Sequence, residues 1–268
     1  MTGSLLIRED AGPGSRQPPP GHLDIWLIRR PAPEATPGLL AAPELSPAER
    51  ERAASFVRPL DGITYAAAHL ALRRLLGGYL GIEPRAVSFT REPCPGCGEP
   101  HGRPCVFPPD PCLHFSLGHS HGMAVIGVAS TVLGVDVELL PRDETVDHCV
   151  PALHPQEIAE LDGHPPEQRR EAFGQLWTRK EAYLKALGTG LSRHPATDYL
   201  GADERRRPEG WTVLDIPCGT RHRAAVAVRG DAPERTRVRR LRLERGATAD
   251  ADRRVVIGRI AQEPQSGE

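Results

Sequence analysis

Two carboxylates stand two residues apart in the run Gly134-Val135-Asp136-Val137-Glu138. On an extended strand such residues point to one face, so Asp136 and Glu138 share a side and Val135 and Val137 share the other. Like charges this close repel unless a cation or a proton lies between them. Oxygen donors suit Mg²⁺ or Mn²⁺ better than softer metals. Taken alone, the pattern equally fits an exposed strand face with two solvated acids.

A second run narrows the chemistry. The chain carries 34 Lys and Arg residues, yet its only lysines are Lys180 and Lys185, both within Trp177-Thr178-Arg179-Lys180-Glu181-Ala182-Tyr183-Leu184-Lys185. An Arg-biased chain that keeps two lysines together points to a need for a compact ammonium rather than a planar guanidinium. On a helix Trp177, Glu181 and Lys185 fall at i, i+4 and i+8 on one face, with Lys180 about 100° around from Glu181. An acid, two ammonium groups and an aromatic suit a metal-bound pyrophosphate, because Lys neutralises phosphate charge and can pass a proton. The plain alternative is a solvated Glu–Lys helix pair worth about 0.3 kcal/mol. Gly188-Thr189-Gly190-Leu191-Ser192, just beyond, is either a helix C-cap or a backbone-lined loop near a ligand.

Cys94-Pro95-Gly96-Cys97-Gly98 has the form of a zinc knuckle, and His101, Cys105, Cys112 and His114 are candidates to complete four ligands of a structural Zn²⁺. Without a second cysteine pair, a tight turn of reduced thiols beside Arg103 is the competing reading. No thioredoxin-like context supports a redox role. Cys149 and Cys218 are isolated and expected to be buried.

These residues need elements to hold them. Residues 1–21, with Pro18-Pro19-Pro20, read as a flexible tail. Alternation over 22–30 predicts a first strand. Ser46-Pro47-Ala48-Glu49 predicts a capped helix start. Apolar spacing predicts a long helix from about 63 to 80, closed by Gly81. Short strands are expected at 87–90 and 114–117. The apolar runs 123–129 and 132–139, split by Ser130-Thr131, are expected to form a buried hairpin. Helices are predicted at 155–161 and 171–187, strands at 211–216 and 222–228, and a further strand at 255–260. The order suggests an α/β (α+β) protein with an N-terminal subdomain at 22–128, a C-terminal one at 129–245, and a tail at 246–268.

The 268 residues carry a formal net charge of -1 and 26% charged residues, so no global field marks a nucleic-acid or membrane partner. No apolar run approaches the roughly 20 residues that span a bilayer. No secretory signal is evident, so a cytoplasmic, reduced protein is expected. Trp26 and Trp211 are expected in packing, and His69 as a partly buried polar residue. The arginines of 205–207 and 235–245 read as solvated faces, or as a surface for an acidic partner.

Taken together, Gly-Val-Asp-Val-Glu at 134–138 and Trp-Thr-Arg-Lys-Glu-Ala-Tyr-Leu-Lys-Ala-Leu-Gly-Thr-Gly-Leu-Ser at 177–192 resemble the 4'-phosphopantetheinyl transferases of the large, surfactin-synthetase-activating (Sfp) type. Phe115-Ser116-Leu117-Gly118-His119-Ser120 and His101-Gly102-Arg103-Pro104 resemble two further elements of that family, and the likeness covers roughly residues 22–230. It implies two similar α/β subdomains in a pseudo-twofold arrangement, with coenzyme A in the cleft between them. It implies transfer of the phosphopantetheine arm of CoA to a serine of an apo acyl- or peptidyl-carrier protein, leaving 3',5'-ADP. Such carriers serve polyketide, non-ribosomal peptide and fatty-acid synthesis. By the same resemblance Asp136, Glu138 and Glu181 hold Mg²⁺, with Mn²⁺ as an alternative. Lys185 contacts the phosphates and protonates the leaving group, while Lys180 stabilises phosphate charge. His119 and Arg52 contact phosphates, and Arg103 meets the 3'-phosphate or adenine region. Glu157 matches an acid proposed as base for the serine. A monomer is implied. Gly118 departs from the usual Ser, and Thr64 from an Arg that commonly faces CoA, which bears on CoA affinity more than on reaction type.

Three other readings compete. A zinc-stabilised module with an Arg-rich face for nucleic acid leaves Asp136, Glu138, Glu181 and Lys185 unexplained. A non-catalytic CoA-binding member of the family keeps the cleft without the reaction. A different Mg-dependent nucleotide enzyme would need a phosphate loop, and the sequence has no Walker A motif.

Overall fold

The computed structural model describes residues 5–7 and 18–245. Strands β1 (Leu5–Ile7) and β2 (His22–Arg29) precede α1 (Thr36–Leu40), α2 (Pro47–Ala54) and the 22-residue α3 (Pro59–Leu80). Then come β3 (Ser88–Arg91), β4 (Pro104–Phe107), β5 (His114–Ser120), β6 (Met123–Ala129) and β7 (Leu133–Leu139). Helices α4 (Asp143–Cys149), α5 (Pro155–Asp162) and the 22-residue α6 (Pro166–Leu187) follow. β8 (Trp211–Asp215), β9 (His222–Arg229), β10 (Arg235–Leu241) and β11 (Leu243–Arg245) complete the order.

Period-two alternation explains how these elements stack. On β2, Trp26 and Ile28 face α3, burying with Leu70 and Leu76. Leu23, Ile25 and Leu27 face the other way, against Leu133, Val135, Val137 and Val226. Ala225 and Ala227, from the far face of β9, pack under Phe173, Ala182 and Ala186 of α6. The result is a mixed α+β arrangement of four layers: helix, sheet, sheet, helix. The first sheet has the order β10-β2-β6-β5, the second β7-β9-β8, and β3-β4 and β1-β11 form separate ladders.

The two long helices end as their sequences require. Gly81 and Gly188 take left-handed φ values of 68° and 79° and close α3 and α6. At the start of α2, Ser46 and Glu49 form a capping box. The Glu49 carboxylate also bonds the Arg73 guanidinium on α3 at 2.9 Å and His69 Nδ1 at 3.2 Å. Burial alone would raise its pKa, but these bonds outweigh that and hold it down at about 2. This pair fixes α2 on α3, and with it the residues near Arg52.

Several expectations change. Runs 123–129 and 132–139 are not a hairpin: β6 and β7 belong to different sheets and face one another across the core. Gly127 makes this close approach workable, since a Cβ there would lie 2.6 Å from Val135 Cγ1. The tight hairpin is instead β5–β6, turning through His121 and Gly122, both at positive φ as in a type I′ turn. β10 joins β2 in parallel, so the last part of the expected 129–245 unit lies in the first sheet. Leu5–Ile7 pairs with Leu243–Arg245, so these residues of the expected 1–21 tail form a strand. The strand expected at 255–260 and the 246–268 tail lie outside the described residues. Among the described residues no helix is long and apolar enough to cross a membrane.

Candidate active site

The site is built where α6 lies directly on β7. Gly134 permits it: a Cβ there would stand 2.1 Å from Ala182 O and 2.4 Å from Ala186 N. A side chain at 134 would push the helix away. With the helix in contact, Glu181 and Lys185 come over the strand face that carries Asp136 and Glu138. Lys185 Nζ pairs with Asp136 Oδ1 at 2.6 Å. Val135 and Val137 on the opposite face are fully buried, as alternation requires.

β5 supplies the facing edge through its small residues. Ser116 Oγ accepts from Val135 N at 3.0 Å, and Ser120 Oγ donates to Glu138 Oε2 at 2.6 Å. Between them a Cβ on Gly118 would sit 3.1 Å from Lys185 Nζ and 3.2 Å from Asp136 Oδ1. The absent side chain leaves the ammonium its path to Asp136. Ser116, Gly118 and Ser120 share one strand face, and that period-two run of small residues was the signal from which Ser120 could have been found.

Charge is unbalanced here. Among the described residues, Asp136 Oδ2 is buried without a hydrogen-bond partner. Burial, then the charge of Asp136, push the Glu138 carboxyl up to about 7 although Ser120 and Lys185 pull it down. Glu181 is raised by burial and by Asp136, against Lys185. An orphaned carboxylate oxygen and two acids held back from ionising are what a site for a divalent cation presents when the protein alone must balance it. The donor set therefore fits a hard metal ion.

The first sheet provides the rim. The His119 ring meets Tyr65 edge-on at 5.9 Å and Phe56 at 6.2 Å. Burial first, then the positive charge of His69 and Lys185, hold its pKa below the ordinary imidazole range. Arg52 is exposed, with its guanidinium 4.9 Å from the Phe56 ring centroid. Arg103 donates to Glu92 and, at 2.8 Å, to Ala186 O at the C-terminal end of α6, a favourable place for a cation. It also lines a cavity of about 280 Å³ with Thr90, Arg91, His114, Phe115 and Leu133. Thr64 is buried and bonds Leu60 O within its own helix.

Two expected site residues lie elsewhere. Lys180 is 2% exposed and its three donor bonds go to Glu157 Oε2 at 2.7 Å and to Pro195 O and Asp198 O, both at 2.8 Å. It therefore has no donor left for a phosphate. Glu157 is 0% exposed and also accepts from His154 N and Leu200 N, so it cannot reach a serine on another protein. Helical geometry explains the placement: one residue of rotation turns Lys180 away from the Glu181 face and towards α5. Trp177 likewise stacks on Phe173 in the core. Of the cysteine-loop candidates, Cys94, Cys97 and His101 come together, whereas Cys105, Cys112 and His114 do not join that cluster.

Lys180→Met strands a buried carboxylate and should cost about 3–5 kcal/mol in urea denaturation, while Lys180→Met with Glu157→Leu should recover most of it. A Tm unchanged in the single variant would contradict the assignment. Glu138 gives a pH signature. Its folded pKa of about 7 exceeds the usual 4.5, so its contribution is most favourable below about pH 4.5 and is lost as pH rises through 7. In metal-free protein, Glu138→Gln should gain about 1–3 kcal/mol over wild type between about pH 5 and pH 8. Parallel stability profiles would contradict that.

Comparison with known proteins bears on the family. The family model of the 4'-phosphopantetheinyl transferase superfamily matches residues 132–226, the segment that holds Asp136, Glu138, Glu181 and Lys185. The 4'-phosphopantetheinyl transferase HetI of Nostoc sp. (strain PCC 7120) is 33% identical over 217 residues, 78% of this chain and 88% of HetI. A 4'-phosphopantetheinyl transferase of Bacillus subtilis is 27% identical over 175 residues, 65% of this chain and 72% of its own. Sfp of Bacillus subtilis (strain 168) is 22% identical over 148 residues, 55% and 62% of the two chains. Likeness over nearly the whole of HetI, with the carboxylates and Lys185 inside the matched segment, places the chain in the 4'-phosphopantetheinyl transferase superfamily.

Proposed function

We propose that this protein transfers the 4'-phosphopantetheine arm of coenzyme A to a serine hydroxyl of an apo acyl- or peptidyl-carrier protein and releases 3',5'-ADP. The observation that carries the reading is the orphaned Asp136 Oδ2 beside the Lys185–Asp136 pair, in a chain similar to named transferases of this kind. Asp136, Glu138 and Glu181 would hold Mg²⁺ or Mn²⁺. When bound, such an ion neutralises pyrophosphate charge and orients it for in-line displacement.

The chain's own residues divide the remaining work. In the transfer the serine oxygen attacks the pantetheine-side phosphorus, and the pyrophosphate bridge to that phosphorus breaks. Glu181 would also take the serine proton, through the carboxylate oxygen not engaged with the ion, the part first expected of Glu157. Lys185 supplies charge and a proton to the departing phosphate oxygen. A general acid or base of this kind is worth about 10²–10⁴-fold. The cavity by Arg91 and Arg103 lies at the Phe115 and Leu133 end of the β5–β7 seam. It is three residues, roughly 10 Å, from Gly118 and Asp136 along each strand. That spacing suits the nucleotide end of CoA in the cavity and its pyrophosphate at the carboxylates, with His119 and Arg52 along the rim.

Carriers of polyketide, non-ribosomal peptide or fatty-acid synthesis are the proposed partners, met by a monomer in the cytoplasm. A nucleic-acid module remains the weaker reading, since it gives the buried carboxylates no role. Intact mass of an apo carrier after incubation with the protein, CoA and Mg²⁺ tests the proposal. One phosphopantetheine should be added, EDTA should prevent it, and Glu181→Gln should slow it about 10²–10⁴-fold. Lys185→Arg should also be slow, because the larger, weakly acidic guanidinium must fit beside Gly118. No mass gain on either carrier class, or full activity of Glu181→Gln, would overturn the reading.

A further inference from the structure

Outside this site, the loop between β3 and β4 gathers three soft or borderline ligands on a short, highly bonded turn. The sulfurs of Cys94 and Cys97 and a ring nitrogen of His101 all lie within 4.8 Å of one another. Cys97 Sγ and His101 Nε2 are 2.9 Å apart. A tetrahedral zinc ion, with bonds of about 2.3 Å to sulfur and 2.0 Å to nitrogen, sets its ligand atoms roughly 3.5–3.8 Å apart. Shifts of about an ångström therefore convert the cluster into a coordination sphere.

The backbone is already folded for that purpose. Gly98 N donates to Cys94 O at 2.8 Å, Cys94 N to Glu99 O at 2.7 Å, and His101 N to Glu99 O at 2.8 Å. The N–H groups of Gly96 and Cys97 turn to the Cys94 sulfur. Gly98 holds φ at +81°, a value strained for any residue with a side chain. We infer that Cys94, Cys97 and His101 bind one Zn²⁺, with solvent in the fourth position, and that the ion fixes the β3–β4 hairpin. The hairpin matters because its next residues hold Arg103. Glu92 N donates to Arg103 O at 2.9 Å, and Gly102 N to Glu92 O at 2.9 Å.

The full chain, purified under thiol reductant, should retain one equivalent of zinc by elemental analysis. Cobalt exchanged into the wild-type protein should show tetrahedral visible bands and a sulfur-to-metal charge-transfer band, which the carboxylates of the other site cannot produce. In chelator competition Cys97→Ser should lose at least about tenfold in zinc affinity, since even second-shell changes cost roughly 10–100-fold. Cys112→Ser, an exposed thiol outside the cluster, should bind as wild type does. Zinc-free wild type with no cobalt–sulfur band, a Cys94–Cys97 disulfide in its place, or equal loss in Cys97→Ser and Cys112→Ser would each overturn the inference.

Discussion

Lys185 and Asp136 meet at 2.6 Å across the junction of α6 and β7, and the neighbouring geometry depends on that meeting. One ammonium there faces the carboxylates of Asp136, Glu138 and Glu181. The surplus negative charge is not relieved by solvent, because Asp136 is buried and Glu138 only partly open. The protein settles part of it by raising the pKa values of Glu138 and Glu181, while Asp136 Oδ2 is left without a partner among the described residues. Such an arrangement costs stability and is kept where function requires it.

Glycine makes that charge cluster geometrically attainable. Gly134 brings α6 down onto β7, and Gly118 opens the way for the lysine side chain. Two glycines on facing strands thus do for packing what the acids do for electrostatics. Gly118, a departure from the usual Ser, leaves space that the Lys185–Asp136 pair uses. Ser116 and Ser120 on the same face bond β7 directly, so the edges of the two sheets are joined by side chains where backbone pairing is absent.

Local periodicity was a sound guide where each residue's neighbours belonged to its own element. Asp136 and Glu138 fall on one face because strands alternate, and Glu181 and Lys185 meet because helices repeat. Inference failed where a distant element decided the outcome. Lys180 turned towards α5 and found Glu157, a partner that helix spacing cannot reveal. Ser130-Thr131 lacks the Asn-Gly or Gly signals of a two-residue turn, and it carries the chain between sheets instead. β10 was hidden because alternating arginines read as solvated surface, whereas Arg239 lies over Trp26 at 4.6 Å and Leu241 enters the core. The cysteine loop was legible as a knuckle with His101 among its candidates, and the fold sets His101, rather than Cys105, Cys112 or His114, beside Cys94 and Cys97.

On the proposed function, the carboxylates of β7 and α6 act as one divalent-cation site beside Lys185. Mn²⁺ binding, followed by electron paramagnetic resonance with CoA present, addresses this most directly. One Mn²⁺ per wild-type chain, lost in Glu181→Gln while the variant keeps its wild-type circular dichroism, is the expected result. Equal Mn²⁺ binding by both proteins would contradict the claim.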